Sequence, residues 1–175
     1  MSGVGLWDFA LRVYGAPGVA PACLELQDTL GADVPFLLFA GWMDARGVAL
    51  DAAEIARLDR EIAAWRAEIV RPLRAIRRRL KSGPAPAPGP QSEALRDAIK
   101  AAELSAEKLE LERLEAIGTL YPGGTGPQLA AHGNLRRALA HYAGGSPDAG
   151  AEAALAVIAS AIAQSPGEAS DASEK

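Results

Sequence analysis

Apolar residues along this chain recur mostly at three- and four-residue steps, the period of a helix buried on one side. In GLWDFALRVY, residues 5–14, Leu6, Ala10, Val13 and Tyr14 share one side, Trp7 and Leu11 widen it, and Gly15 is the stop. A second helix is expected over 18–30, with Cys23, Leu26 and Leu30 in step and Gly31 ending it. Asp33 suits the N-cap of a third helix, with Pro35 tolerated in its first turn. That helix, VPFLLFAGWMDA, is apolar nearly all round and belongs at the centre of a bundle.

The clearest period follows. Asp51 and Glu54 form a capping pair, and Ile55, Leu58, Ile62, Trp65, Ile69, Leu73, Ile76 and Leu80 continue as a coiled-coil-like seam. Pro72 cannot donate to the carbonyl of Glu68, which predicts a kink or break. The prolines of KSGPAPAPGPQ, 81–91, predict a semi-rigid extended linker. A long helix is then expected from Ser92 to Leu120 with two apolar stripes. One is Leu95, Ile99, Ala102, Ala106, Leu109 and Ile117; the other is Leu104, Leu111 and Leu114, with Glu103, Glu107 and Glu110 between them. YPGGTGPQ is a loop, a helix near 128–143 follows, and Ser146-Pro147 is expected to cap the last helix, to about Gln164. The predicted fold is all-α: a helical bundle of about six or seven helices with one long charged helix after a Pro-rich linker. The expected division is a core at 1–81, a linker at 82–91, a helical appendage at 92–165 packing on the core or a partner, and a disordered tail at 166–175.

Composition sharpens this picture. Of the 175 residues 38 are alanine, while Val, Ile and Thr together number only 18, which argues against β architecture. All Trp and Phe lie at or before position 65, so the bulky side chains crowd the first half. The net charge of −4 gives no general drive toward nucleic acid. The lone Cys23 suits a reducing cytoplasm and forms no internal disulfide. No basic n-region marks a signal peptide, and the apolar run Val34 to Met43 is about half the ~20 residues needed to span a bilayer. A cytoplasmic protein that does not span a membrane is expected.

Four segments, taken in order, carry a likeness: LWDFALRVY at 6–14, ACLELQD at 22–28, GADVPFLLFAGW at 31–42 and VRPLRAIRRRLK at 70–81. Their order resembles a family of small proteobacterial proteins known as a conserved domain of unknown function. The resemblance covers about 5–81, with a weaker echo in ELSAEKLEL at 103–111. It implies a helical fold and a bacterial origin, and supplies no catalytic residues.

Two surfaces could carry function. Between Arg66 and Lys81 there are seven basic residues and one acid; Arg71, Arg74, Arg78 and Lys81 share a face. Such a stripe suits phosphates or an acidic protein, but no aromatic residues alternate with it to stack on bases. Internal pairing is the plainer account, because 93–115 hold seven acids against four bases. The favoured reading is a non-catalytic interaction or adaptor module. In it the arginines supply charge complementarity, and Leu104, Leu111 and Leu114 are buried against a protein partner or a second copy. The alternative is a small-ligand binder or enzyme with a pocket near Trp7, Asp8, Gln27, Asp28 and Trp42, where polar groups adjoin large apolar ones. Asp8 also has a simpler expectation, an i,i+4 pair with Arg12. His132 and His141 are nine apart, poor spacing for a shared metal; both read as loop or surface residues, and neither metal nor cofactor is expected. The glycines of YPGGTGPQ lack the lysine of a phosphate-binding loop, and no aspartate-rich magnesium motif exists.

Overall fold

A computed structural model describes residues 4–124 and 133–164. The chain folds as α1 (Leu6–Tyr14), α2 (Val19–Leu30), α3 (Val34–Ala45), α4 (Ala52–Trp65), a π turn (Arg66–Val70), α5 (Arg71–Arg79), α6 (Pro90–Gly118), α7 (Gly133–Ala143) and α8 (Ala149–Ala163). Because α4, the π turn and α5 run on without a gap, these are seven helical rods among the described residues. The architecture is an all-α bundle.

The core is built around α3. Its residues from Pro35 to Met43 are all buried, as an all-round apolar helix requires. It packs against α1, α6 and α7, and α2 lies against α8. One contiguous cluster of buried side chains reaches from Leu6 to Ile162, so α7 and α8 share the core of the early helices. Gly118 shows how tightly α6 meets it. A Cβ there would lie 2.7 Å from Trp42 Cζ3 and 2.9 Å from Phe39 Cε2. The carbonyl of Gly118 accepts from Arg46 Nη1 at 2.7 Å, and Arg46 Nη2 donates to the Tyr121 carbonyl, which satisfies the end of α6.

Helix ends follow local chemistry. Asp33 accepts from Phe36 N, and Asp51 and Glu54 form a reciprocal capping box. Gly31 ends α2 in the left-handed conformation at φ 64. The Ser146-Pro147 start proves wrong by two residues: Asp148 caps α8, its carboxylate accepting from Ala151 N. An aspartate serves better there because its charge also faces the positive end of the helix. The segment between α5 and α6 is not extended but turns, with Ala87 N donating to the Pro84 carbonyl, so that α5 and α6 pack together. The helix after it starts at Pro90, earlier than expected, because proline suits the first helical position and Ser92 Oγ accepts from Gly89 N.

Pro72 does not end its helix. The ladder widens one turn earlier, where Arg71 N bonds to the Arg66 carbonyl in the π turn, and the rod continues. The widening changes which side faces inward. Ile55, Leu58 and Ile62 are buried, then Arg66 and Val70; Trp65, Ile69 and Ile76 of the expected seam are partly exposed. The tail expected at 166–175 lies outside the described residues.

Candidate functional site

At the start of the π turn, four residues after Ile62, Arg66 puts a charged side chain where the α4 seam would hold an apolar one. Arg66 is only 6% exposed. Its Nη2 lies 2.6 Å from Asp59 Oδ1, and its Nε lies 3.3 Å from Asp33 Oδ1 and 3.7 Å from Glu110 Oε1. Its guanidinium sits 5.8 Å from the centre of the Tyr142 ring. The Tyr142 hydroxyl donates to Asp59, and His141 Nε2 lies 3.1 Å from the other Asp59 oxygen. Elements from α3 to α7 thus converge on one cation.

This cluster cannot hold all its carboxyls ionised. Burial pushes Glu110 up to about 9, and the adjacent charge of Asp33 adds to the shift while Arg66 opposes it. Burial also raises Asp33, against the pull of Arg66. Asp59 goes the other way: burial opposes its charge, but the Tyr142 hydroxyl and Arg66 outweigh it and hold it below the usual carboxylate range. As two carboxylates, Asp33 and Glu110 would leave Asp33 Oδ1 and both Glu110 oxygens buried without a donor. A proton on Glu110 supplies that donor, and the two carboxyls share a hydrogen bond.

Beside the cluster, α5 is tied to α6. Arg74 Nε lies 2.8 Å from Glu103 Oε1 and its Nη2 reaches Glu107; Arg77 also reaches Glu103. Arg78 Nη2 lies 2.7 Å from Asp28 on α2, both side chains about half exposed at 50% and 54%. Arg71, Arg79 and Lys81 make no ion pair among the described residues.

Two adjoining cavities open along this seam. The larger, about 690 Å³, is a groove with Trp7, Leu11 and Tyr14 of α1, Leu24 of α2, Leu38 of α3 and Leu104 of α6 on its walls, and Arg74, Arg77, Glu103 and Glu107 along one edge. The smaller, about 330 Å³, is a cleft lined by Arg66, Arg71, Arg74 and Arg78 with Asp28, Asp33 and the α2 end at Gly31. Gln27 and Arg74 line both. Leu11, Leu24 and Leu104 are about half exposed, so the groove wall meets water while empty.

The expected site residues divide accordingly. Trp7 and Gln27 line the groove, and Gln27 and Asp28 line the cleft. Asp8 is exposed on α1 outside both, and its expected ion pair with Arg12 is not formed. Trp42 is buried in the core, where its Nε1 donates to the Val4 carbonyl at 3.0 Å. Of the three leucines assigned to a partner surface, only Leu104 is exposed; Leu111 and Leu114 are buried within this chain because α6 turns them toward α1 and α3. The buried side of α6 instead carries Glu103, Ala106, Glu110 and Leu114, so two glutamates stand inward at helical spacing. Sequence reasoning missed Arg66, Asp59, Glu110 and Tyr142. One signal was available: Arg66 stands four residues after Ile62, on the inward seam.

Among the described residues no group of His, Cys, Asp or Glu side chains is arranged to hold a metal, and no helix is long and apolar enough to cross a membrane. His132 lies outside the described residues. Residues 5–114 match the family described as "Protein of unknown function (DUF2390)", a match that extends beyond the four early segments to most of α6. No curated protein and no solved structure matches this chain.

Proposed function

The chain belongs to this DUF2390 family of proteins of unknown function, and we propose that it is a small-molecule binding protein. The groove between α1, α2 and α6 would be its binding site. The observation that carries this reading is the groove itself. Its volume of about 690 Å³ falls within the roughly 300–1,000 Å³ of small-ligand pockets, and aromatic and aliphatic side chains make up most of its wall, with Gln27 and the charged Arg74, Arg77, Asp97, Lys100, Glu103 and Glu107 making up the rest. Such a lining favours an elongated, largely apolar ligand. No catalytic step is assigned to it. The buried, free Cys23 fits a reducing compartment such as the cytoplasm.

The test is a titration of intrinsic tryptophan fluorescence with neutral 1-alkanols, Trp7 being the reporter in the wall. Saturable binding should tighten by about fourfold per added methylene until the groove is full, since each buried methylene contributes about 0.8 kcal/mol. The Leu11→Glu, Leu104→Glu double variant should abolish it. Both leucines are half exposed, so this change spares the core. Unsaturable binding, or equal affinity in the variant, defeats the reading.

A second reading, an adaptor for a protein partner or a homo-oligomer, is favoured by Leu95 and Leu109, each about half exposed on α6. Arg71, Arg79 and Lys81 would supply its charge, or contact nucleic acid. Sedimentation of the full chain, with Leu95→Lys and Leu109→Lys as controls, tests self-association. Retention on DNA or RNA at low salt tests the nucleic-acid form.

A further inference from the structure

We propose that the arginine-lined cleft is the head-group half of the same site, so that the ligand is an alkyl chain ending in an oxyanion, either carboxylate or phosphate. This rests on the groove reading and names its ligand class. The two cavities share Gln27 and Arg74, so a molecule lying along the groove reaches the cleft without leaving the protein surface. Four guanidinium groups line the cleft against two carboxyl groups, Asp28 and Asp33. A neutral apolar ligand would gain nothing from that lining, whereas planar guanidinium forks match carboxylate and phosphate oxygens.

The arginines differ in their commitments. Arg74 is held by Glu103 and Glu107, which fixes the side chain at the junction of the two cavities. Arg71 is exposed and makes no ion pair among the described residues. Among the described residues Arg78 pairs with Asp28 alone, in a half-exposed pair of the kind that contributes little and that an entering anion displaces at small cost. At the inner side stands Arg66, more than nine-tenths buried and held by Asp33 and Asp59, so it lends the wall a fixed positive charge. The proton retained on Glu110 works in the same direction, since it removes one negative charge from behind that wall.

The test compares four probes on the full-length chain by calorimetry: sodium decanoate, decyl phosphate, 1-decanol and inorganic phosphate. Each is used below its critical micelle concentration, at low and at physiological salt. At least one alkyl oxyanion should bind roughly tenfold or more tighter than decanol, the scale of one charge-assisted hydrogen bond. That advantage should shrink with salt and vanish in Arg71→Ala, while decanol binding stays unchanged in that variant. Which of decanoate and decyl phosphate shows the larger gain identifies the head. Decanol binding as tightly as both oxyanions overturns this inference and leaves the groove reading intact. Inorganic phosphate binding as tightly as decyl phosphate also overturns it, because the chain then adds nothing and the two cavities are not one site. Binding by none of the four overturns both. Arg71 is a surface residue, so unchanged far-UV circular dichroism in Arg71→Ala rules out misfolding as the cause of a loss.

Discussion

Replacing Glu110 with glutamine should make the protein more stable at neutral pH. Glu110 is 1% exposed and its carboxyl is pushed from an ordinary 4.5 up to about 9. Between those values the unfolded chain has released this proton while the folded chain keeps it. The unfolded state therefore binds fewer protons, and stability falls as pH rises through the window. Each pH unit costs about 1.4 kcal/mol, so the penalty at pH 7 is about 3 kcal/mol. Because Glu110 and Asp33 hold one proton between them, the window belongs to the pair. Glutamine is neutral at every pH and its amide still donates toward Asp33. The expected result is that Glu110→Gln gains on the order of 2–3 kcal/mol over wild type at pH 7. The gap should close near pH 4.5 and widen by pH 8.5. Urea unfolding followed by far-UV circular dichroism at the three pH values measures it, with an unchanged m-value showing that the comparison is between like transitions. Equal stabilities throughout refute the reasoning. So does a wild type that gains on Glu110→Gln as pH rises, since that would make Glu110 an ionised partner of Arg66.

Arg66→Met should destabilise by about 3–5 kcal/mol in the same urea assay, because Asp33 and Asp59 lose their shared cation while still buried; adding Asp33→Asn should recover part of the loss. Gly118→Ala forces a methyl against Trp42 and Phe39 and should cost about 1–3 kcal/mol, read as a lower Tm. Cys23 is fully buried and its thiol is pushed up to about 12 by that burial, so a thiol reagent at pH 7 should modify it only at the rate of unfolding; rapid modification of the folded protein contradicts its placement.

Most of the fold was legible because the helices announce their own ends. Gly31, Asp33, Asp51 and Glu54 are local signals, and they act in the structure as their chemistry suggests. Several of the misses at the site depend on something distant in the chain. Glu103 and Glu110 look like the polar side of a solvated helix until Arg74, Arg77 and Arg66 are brought against them. Arg66 reads as the start of a basic run, although its position four residues after Ile62 sends it inward. Trp7, Gln27 and Asp28 stood out as polar groups beside apolar ones and line the cavities, but Trp42 is buried with the rest of α3, its Nε1 donating to the Val4 carbonyl. Pro72 pointed to a disturbed ladder and could not say whether the rod would break or merely widen.

The widening at Arg66–Val70 works as a phase change in the rod. One residue is about 100° of helix rotation, so a wheel drawn on Ala52–Trp65 misassigns the side chains beyond Val70 by that amount. Arg71, Arg74, Arg77 and Arg78 therefore owe their directions to a single step upstream of all of them. The lining of the cleft therefore depends on the register of this one step. Losing one residue between 67 and 70 would restore an even helix and rotate Arg71, Arg74 and Arg78 away from the cleft together, although none of them had been mutated.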